Sequence, residues 1–385
     1  MKFLHCSDLH IGRKLHGYSM IDDQRDILEK MCAIAREKGV DAVLIAGDVY
    51  DTAMPNEDAV NLLDWFLTEL STFCKVYMIA GNHDSVERLS FAKEILSRQN
   101  VFVTGRYSGK AERFDLEDPF GPLSIFILPY TKTSTVRRWC RDNGADADAI
   151  DGPDAAFALT MANTGADPGA RNILVAHEFV TGKDIELSRS DSEMTMLPSV
   201  GGADCISSKL LEPFDYVALG HIHRPQRAGR DTVLYCGSPL KYSESEIDDE
   251  KHAVIVEVRG KGDVSVETVP LVPKRRMVRL TGTIEEILSR KDAYGDEYVL
   301  AELTEPADKA TDRLAEVYRV LGVKRLYDRG RADTTGLEAS VAEIRAIPPQ
   351  ELFARFFEER TGEPLSEYQK KVLDDVVESL GRGQQ

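Results

Sequence analysis

Short apolar runs recur along the chain, separated by segments whose apolar positions return every three or four residues. MKFLHCS reads as a strand, DAVLIAGD as a buried strand and KVYMIAGN as another. Between them, IDDQRDILEKMCAIAREKG sets Ile27, Met31, Ile34 and Ala35 on one helical face and ends at Gly39. PNEDAVNLLDWFLTEL gathers Leu63, Phe66, Leu67 and Leu70 in the same way. The β-α-β-α-β order predicts an α/β fold whose sheet is covered on both faces. Further strands are expected at LSIFILPY, NILVAHE, DYVALGH, TVLYCGS and HAVIVEVRG, and the stretch from Asp142 to Ala170, rich in Ala, Asp and Gly, reads as an insertion or irregular helix.

A boundary falls at VPLVPKRR, where prolines precede a basic cluster. Beyond it RMVRLTG, TIEEILSRK, EYVLAELTE, ADKATDRLAEVYRVLG and VKRLYDRGR predict a small β-α-β-α-β unit, which AIPPQ ends. The tail from Glu351 to Leu380 reads as two amphipathic helices separated by TGEP. One carries Leu352, Phe353, Phe356 and Phe357; the other carries Leu365, Tyr368, Val372, Leu373, Val376 and Leu380. Such a pair is too small to bury these faces alone. It packs back on the body or grips another protein's helices, and the stiff spacer favours the second. Trp65 points more than a quarter-turn from its helix's apolar stripe, so either a loop covers it or a second copy does, across a two-fold contact.

Composition narrows the class. A length of 385 residues suggests two or three domains, and 42% hydrophobic with 29% charged residues is the balance of a globular protein. No apolar run is long enough to span a bilayer, and the start, MKFLHCSDLHIGRK, does not read as a signal peptide. Six cysteines without a CxxC pair point to reduced thiols in a cytoplasm, with Cys6, Cys32 and Cys74 as buried small hydrophobes. The net charge of -17 argues against nucleic acid unless bound metal, a local basic stripe or a basic partner offsets it. The densest basic cluster is Lys274, Arg275, Arg276 and Arg279; it is either a solvated run or a contact to a DNA backbone.

Chemistry enters at the ends of the strands. The first is followed by Asp8 and His10, the second by Asp48 and Asp51, the third by Asn82, His83 and Asp84. Later strands lead to His177 and to GHIH, with His221 and His223. Singly these mean little: Asp48 alone reads as a helix N-cap, Asn82 as a turn residue, and an isolated HxH as a surface coincidence. Five such segments, each directly after an apolar run, predict a shared site. Carboxylate, imidazole and amide oxygen suit manganese, iron or zinc, and a pair of divalent ions needs a bridging carboxylate with further ligands on each side. Glycines before Asp48, Asn82 and His221 would let backbone approach closely. His5 reads as packing near the site, and His16 and His252 as ordinary surface or strand residues.

The series D-x-H, G-D, G-N-H-D, a lone His and G-H-x-H resembles the calcineurin-like metallophosphoesterases. HCSDLHIGRK, AGDVYDTAMP, AGNHDS, YVALGHIHRPQ and YCGSPLKYS look like the Mre-type branch, to which the SbcD-type nuclease subunits belong. KYSESE departs from that pattern, with Glu244 where an apolar residue is expected. The resemblance implies an α/β sandwich of two β-sheets flanked by helices over 1–272, a small α+β capping domain over 273–340, and a linker with a C-terminal helical pair over 341–385. It implies a first metal held by Asp8, His10, Asp48 and His223, and a second held by Asn82, His177 and His221, with Asp48 bridging. His83 would touch the scissile phosphate or protonate the leaving oxygen, Asp51 would orient His83, and Asp84 would serve as a supporting or capping residue. The implied activity is manganese-dependent hydrolysis of DNA phosphodiesters, as double-strand exonuclease and single-strand or hairpin endonuclease. The implied partners are an SbcC-type ATPase bound by the tail, DNA touched through Lys274, Arg275 and Arg276, and a second copy of the chain. The competing readings are a phosphoesterase acting on a small molecule or phosphoprotein, and a non-catalytic scaffold.

Overall fold

Successive side chains of a strand leave on opposite faces, and here both faces are buried. From Lys2–Cys6, Leu4 and Cys6 enter one core and Phe3 another. Ala42–Ile45 and Lys75–Ile79 repeat this, with Val43, Ile45, Val76 and Met78 on one side and Leu44, Tyr77 and Ile79 on the other. That is why these strands read as unbroken apolar runs. The computed structural model describes residues 1–181, 187–193, 205–327, 353–354, 357, 364–366, 369–370 and 373. Met1–Leu326 forms one unit and Tyr327–Gln385 another.

The first six-stranded sheet runs Val264–Pro270, His252–Val258, Lys2–Cys6, Ala42–Ile45, Lys75–Ile79, Val101–Thr104. Its last four strands are parallel and the first two pair antiparallel. The second, also six-stranded, runs Gln226–Arg227, Val233–Tyr235, Tyr216–Leu219, Arg171–Ala176, Gly121–Leu128, Glu112–Asp118, with its middle strands parallel. The sheets enclose a core that includes Phe3, Leu44, Tyr77, Ile125, Ile173 and Tyr216. Helices Ile21–Lys38 and Glu57–Ser71 cover the outer face of the first sheet through Ile27, Met31, Leu63 and Phe66. Pro153–Thr164 contributes Phe157 to the outer core of the second. The Ala-rich stretch is thus partly a regular helix, with its proline in the first turn, where no backbone N–H is needed. The hydrophobic pattern does not reveal the two edge strands Glu112–Asp118 and Val264–Pro270, because their charged outward residues break any apolar run.

After Pro273, strands Met277–Gly282, Tyr298–Leu303 and Arg319–Arg325 form an all-parallel sheet with helices Ile284–Leu288 and Ala310–Ala315 between them. The first of these helices opens on a capping box between Thr283 and Glu286. Arg275 ties this unit to the body. It reaches both carboxylate oxygens of Asp23 at 3.1 Å, and Tyr298 donates its hydroxyl to the same buried carboxylate at 2.8 Å. The unexpected Glu244 also has a role here: it pairs with Lys324 at 3.2 Å, and Gly322 leaves it room, since a Cβ there would lie 2.8 Å from Glu244 Oε1. No helix among the described residues is long and apolar enough to cross a membrane. The expected helical pair from Glu351 to Leu380 lies almost wholly outside the described residues.

Candidate functional site

The parallel strands of both sheets end at one place, and the loops that follow them lock together. Asp8 N–H donates to Gly47 O at 3.0 Å and His10 N–H to Asp48 O at 3.0 Å, joining the first two loops. Asp84, buried, accepts from Val49, Tyr50 and Gly81 N–H at 3.0, 2.9 and 2.9 Å, and so staples the second loop to the third. Asp8, His10, Asp48 and His221 all have positive φ (52°, 43°, 49° and 98°), a region that costs non-glycine residues energy. Backbone that persists there is over-determined by its surroundings, and it aims these side chains inward. Two glycines make the approach possible. A Cβ on Gly220 would lie 2.0 Å from Ala46 O, and one on Gly81 would lie 2.2 Å from Asp48 Oδ1.

All seven expected ligands converge. His10 and His223 present their Nε2 atoms 3.1 Å apart, and Asp8 groups with both. Asp48 Oδ2 stands 3.7 Å from His10 Nε2 and 3.4 Å from His177 Nε2, between the two halves of the cluster. Asn82 Oδ1 lies 3.0 Å from His177 Nε2 and 2.9 Å from His221 Nδ1. Asp8, His10, Asp48, His177 and His223 are buried; Asn82, His83 and His221 are half-buried and line the open side.

Burial pushes the Asp8 carboxyl up to about 8 against the pull of His177. Burial disfavours charge on His177 too, yet Asp48 and Asp8 hold its imidazole up at about 10. Burial lowers His221 to about 3 and takes His10 and His223 well below the usual imidazole range. With imidazoles, an amide oxygen, no thiolate and a central carboxylate, the residues fit a pair of divalent cations.

His83 sits beside this cluster. Its backbone N–H donates to Asp48 Oδ1 at 2.9 Å, and its ring lies edge-on to His10 at 4.8 Å between centroids. Its Nδ1 is 2.9 Å from the main-chain oxygen of Asp51, so Nδ1 is the donor and Nε2 is left to exchange a proton. The contact between Asp51 and His83 thus runs through the Asp51 carbonyl and not through its carboxylate. That carboxylate accepts from Arg13 at 2.8 Å and stands 3.6 Å from His10 Nδ1.

Several neighbours carry no sequence signal. Gln24 donates to His10 O at 2.7 Å and accepts from Gly12 N–H at 2.9 Å, fixing the first loop from a helix. Tyr242 sets its ring against His10 and His223 and donates to Leu9 O at 2.5 Å. On the open side Phe179 meets His221 edge-on at 5.3 Å, Tyr130 lies parallel to it at 6.2 Å, and the Arg189 guanidinium lies 3.7 Å from the Phe179 ring centre. His5 belongs to packing, bonded to Tyr216 Oη at 2.8 Å and Leu219 O at 3.2 Å.

The basic cluster is mostly committed elsewhere. Arg275 is only 12% exposed and is spent on Asp23 and Asp296, so it serves as a strut and not as a phosphate contact. Arg276 pairs with Glu297, and Arg279 with Asp248 and Glu302. Lys274 is exposed.

A family model described as calcineurin-like phosphoesterase matches residues 1–225, and one described as type 5 capsule protein repressor C-terminal domain matches residues 273–361. The SbcD subunit of nuclease SbcCD from Staphylococcus saprophyticus subsp. saprophyticus is 28% identical over 397 aligned residues, which cover 99% of this chain and 98% of that one. The crystal structure of a dimetal phosphatase from Danio rerio aligns with 71% of this chain and 96% of its own at 13% identity, with a TM-score of 0.41. The first match contains every residue of the cluster, from Asp8 to His223, and spans more than half of the chain. The chain belongs to the calcineurin-like phosphoesterases, hydrolases that act through bound metal.

Proposed function

We propose that this chain is a manganese-dependent DNA nuclease, cutting double-stranded ends and single-stranded or hairpin DNA, and that it works with an SbcC-type ATPase. The observation that carries the hydrolytic part is His83, held beside seven convergent ligands with Nε2 left open. The chain-long likeness to a nuclease subunit supports DNA as substrate. So does the rim of Tyr130, Phe179 and Arg189, since aromatic and guanidinium planes stack on bases.

In this reading Asp8, His10, Asp48 and His223 hold one ion, and Asn82, His177 and His221 hold the other, with Asp48 shared. Bound divalent ions would supply an activated water and neutralise charge on the phosphodiester. His83 Nε2 donates to the phosphate or to the departing 3′ oxygen, while the Asp51 carbonyl keeps the ring in place. Lys274 and Arg276 remain the candidates for contact with a DNA backbone; Arg275 does not.

The division into 1–272, 273–340 and 341–385 accompanies this reading, with the last part docking the ATPase. A homodimer, giving a heterotetramer with that ATPase, and a cytoplasmic setting belong to it too. The latter is supported by the free, buried thiols of Cys6, Cys32, Cys74, Cys140 and Cys236.

The test is turnover by the full chain of linear duplex, hairpin DNA, p-nitrophenyl phosphate and bis-p-nitrophenyl phosphate with manganese, magnesium or zinc. Manganese-dependent cutting of both DNAs, with the diester preferred over the monoester, is expected. Turnover of the monoester with no DNA cleavage in any metal would make the chain a phosphoesterase of small substrates or phosphoproteins.

A further inference from the structure

Beneath His223, on the side away from the cluster, lies a buried ion pair that metal coordination does not itself require. Glu246 is fully buried and Lys251 is 3% exposed, with Lys251 Nζ 2.7 Å from Glu246 Oε2. Lys251 also donates to His223 O at 2.8 Å and to Ser238 Oγ at 3.1 Å. The other carboxylate oxygen, Oε1, accepts from Ser192 Oγ at 2.7 Å and Ser243 Oγ at 2.9 Å. Ser192 Oγ in turn lies 2.7 Å from His223 Nδ1. From the same segment, Glu193 Oε1 accepts from the His223 backbone N–H at 2.6 Å.

The direction of each proton follows. A carboxylate that faces an ammonium this closely in the interior stays ionised, and an ionised carboxylate only accepts. Ser192 Oγ also lies 2.7 Å from Ser190 Oγ, but an ionised carboxylate is the stronger acceptor, so the single hydroxyl hydrogen of Ser192 goes to Glu246. Toward His223 the serine can then only accept, so Nδ1 carries the hydrogen. In a neutral imidazole this leaves the lone pair on Nε2, the nitrogen that faces His10 Nε2 across the cluster.

We propose that Ser192, backed by the Glu246–Lys251 pair, is a positioning residue that fixes His223 in the Nδ1–H tautomer and so sets the affinity of the first metal position. This rests on the reading of His223 as a metal ligand. It gives the segment 187–193 a role, since its serine orients a ligand whose own strand end cannot choose the tautomer. Hydrogen bonds of this kind to ligating imidazoles typically change metal affinity by about 10–100-fold.

The experiment uses the full chain and manganese alone, with no DNA. Manganese affinity and stoichiometry are measured by calorimetry and elemental analysis for wild type, Ser192→Ala, Ser192→Thr and His223→Ala. Nitrogen-15 shifts of labelled histidine report the tautomer. Ser192→Ala should weaken one of two manganese sites by about 10-fold or more and mix the His223 tautomers, and Ser192→Thr, which keeps the hydroxyl, should restore both. His223→Ala should lose that same site. Wild-type affinity in Ser192→Ala, or an unchanged Nδ1–H signal, would overturn the proposal, and so would full manganese binding by His223→Ala. The readout is independent of substrate. A chain that binds manganese in this way but leaves DNA uncut would sink the nuclease reading and leave the Ser192 assignment standing.

Discussion

At the scale of single residues, the proposed function gives His83 a different task from the seven proposed ligands around it. His83 is held by its backbone to Asp48 and by its ring to a carbonyl; it also groups with His10 and Asp48, and the proposal assigns it to the phosphate and not to an ion. His83→Gln should therefore keep two bound metals and lose cleavage by about 10²–10⁴-fold, the usual worth of a placed acid or base. Asp51→Asn should cost only a few-fold, because the carbonyl that orients His83 survives the change. Metal counting alongside rates on both variants checks this; an inactive Asp51→Asn with intact metals would show that the carboxylate, through Arg13 or His10, matters more than the carbonyl. The motif spacing made His83 visible in the sequence. It could not reveal which atom of Asp51 faces it, because that depends on the path of the loop and not on residue type.

At the scale of elements, the edge strand Glu112–Asp118 closes the second sheet and fastens the start of the chain. Asp118 accepts from the Met1 ammonium at 2.8 Å and from Arg171 at 2.6 and 3.2 Å. Arg171 hydrogen-bonded to it, with the terminal ammonium beside it, holds the Asp118 carboxyl well below the usual carboxylate range. The sign follows from linkage. The fold binds this proton less readily than the unfolded chain does, so the stabilisation is present above about pH 4 and is lost as pH falls further, through the lowered folded value. Asp118→Asn should cost about 1–3 kcal/mol at neutral pH, since it removes the charge from these hydrogen bonds while Arg171 keeps its carbonyl acceptors at Pro122, Gly121 and Arg259. It should also flatten the acid limb of a plot of unfolding free energy against pH. Denaturant titrations between pH 2 and 7 would read both, and an unchanged acid limb would count against the pairing. ERFDLED does not read as an apolar run, because only Phe114 and Leu116 turn to the core and charged residues stand between and around them.

At the scale of the whole molecule, the proposed homodimer turns on which apolar surface is left over. Trp65 is half-buried against the main core, with Arg25 over its ring at 5.2 Å, so it is a weaker anchor than its helical position suggests. Met54 and Val60 are 76% and 44% exposed around the start of the same helix, and Phe91 and Ile95 are 79% and 66% exposed after the third strand. Apolar side chains left in water on two neighbouring connections are what a second copy would cover. Light scattering at micromolar concentration should give a dimer for the wild type. Val60→Glu, which leaves the core untouched, should shift it toward monomer by at least 10-fold in dissociation constant, the equivalent of about 1.4 kcal/mol. A wild-type monomer would remove the dimer from the proposed function.

The sequence by itself determined the strand-and-helix alternation, the strand ends at which the clustered polar residues stand and the chemical kind of each. These are local properties: an apolar run with both faces buried and a polar group after it can be read one segment at a time. Only the tertiary structure decided that His10 faces His223, that Asp48 stands between two groups of ligands, that Arg275 is spent on Asp23, and that a serine and a buried ion pair lie under His223. Each of those joins residues distant in the chain, and Ser, Glu, Lys and Arg have the same appearance in sequence whether they sit in water or beneath a metal ligand. Burial and a fixed partner give such residues their meaning, and both arise only when the two sheets close on one another.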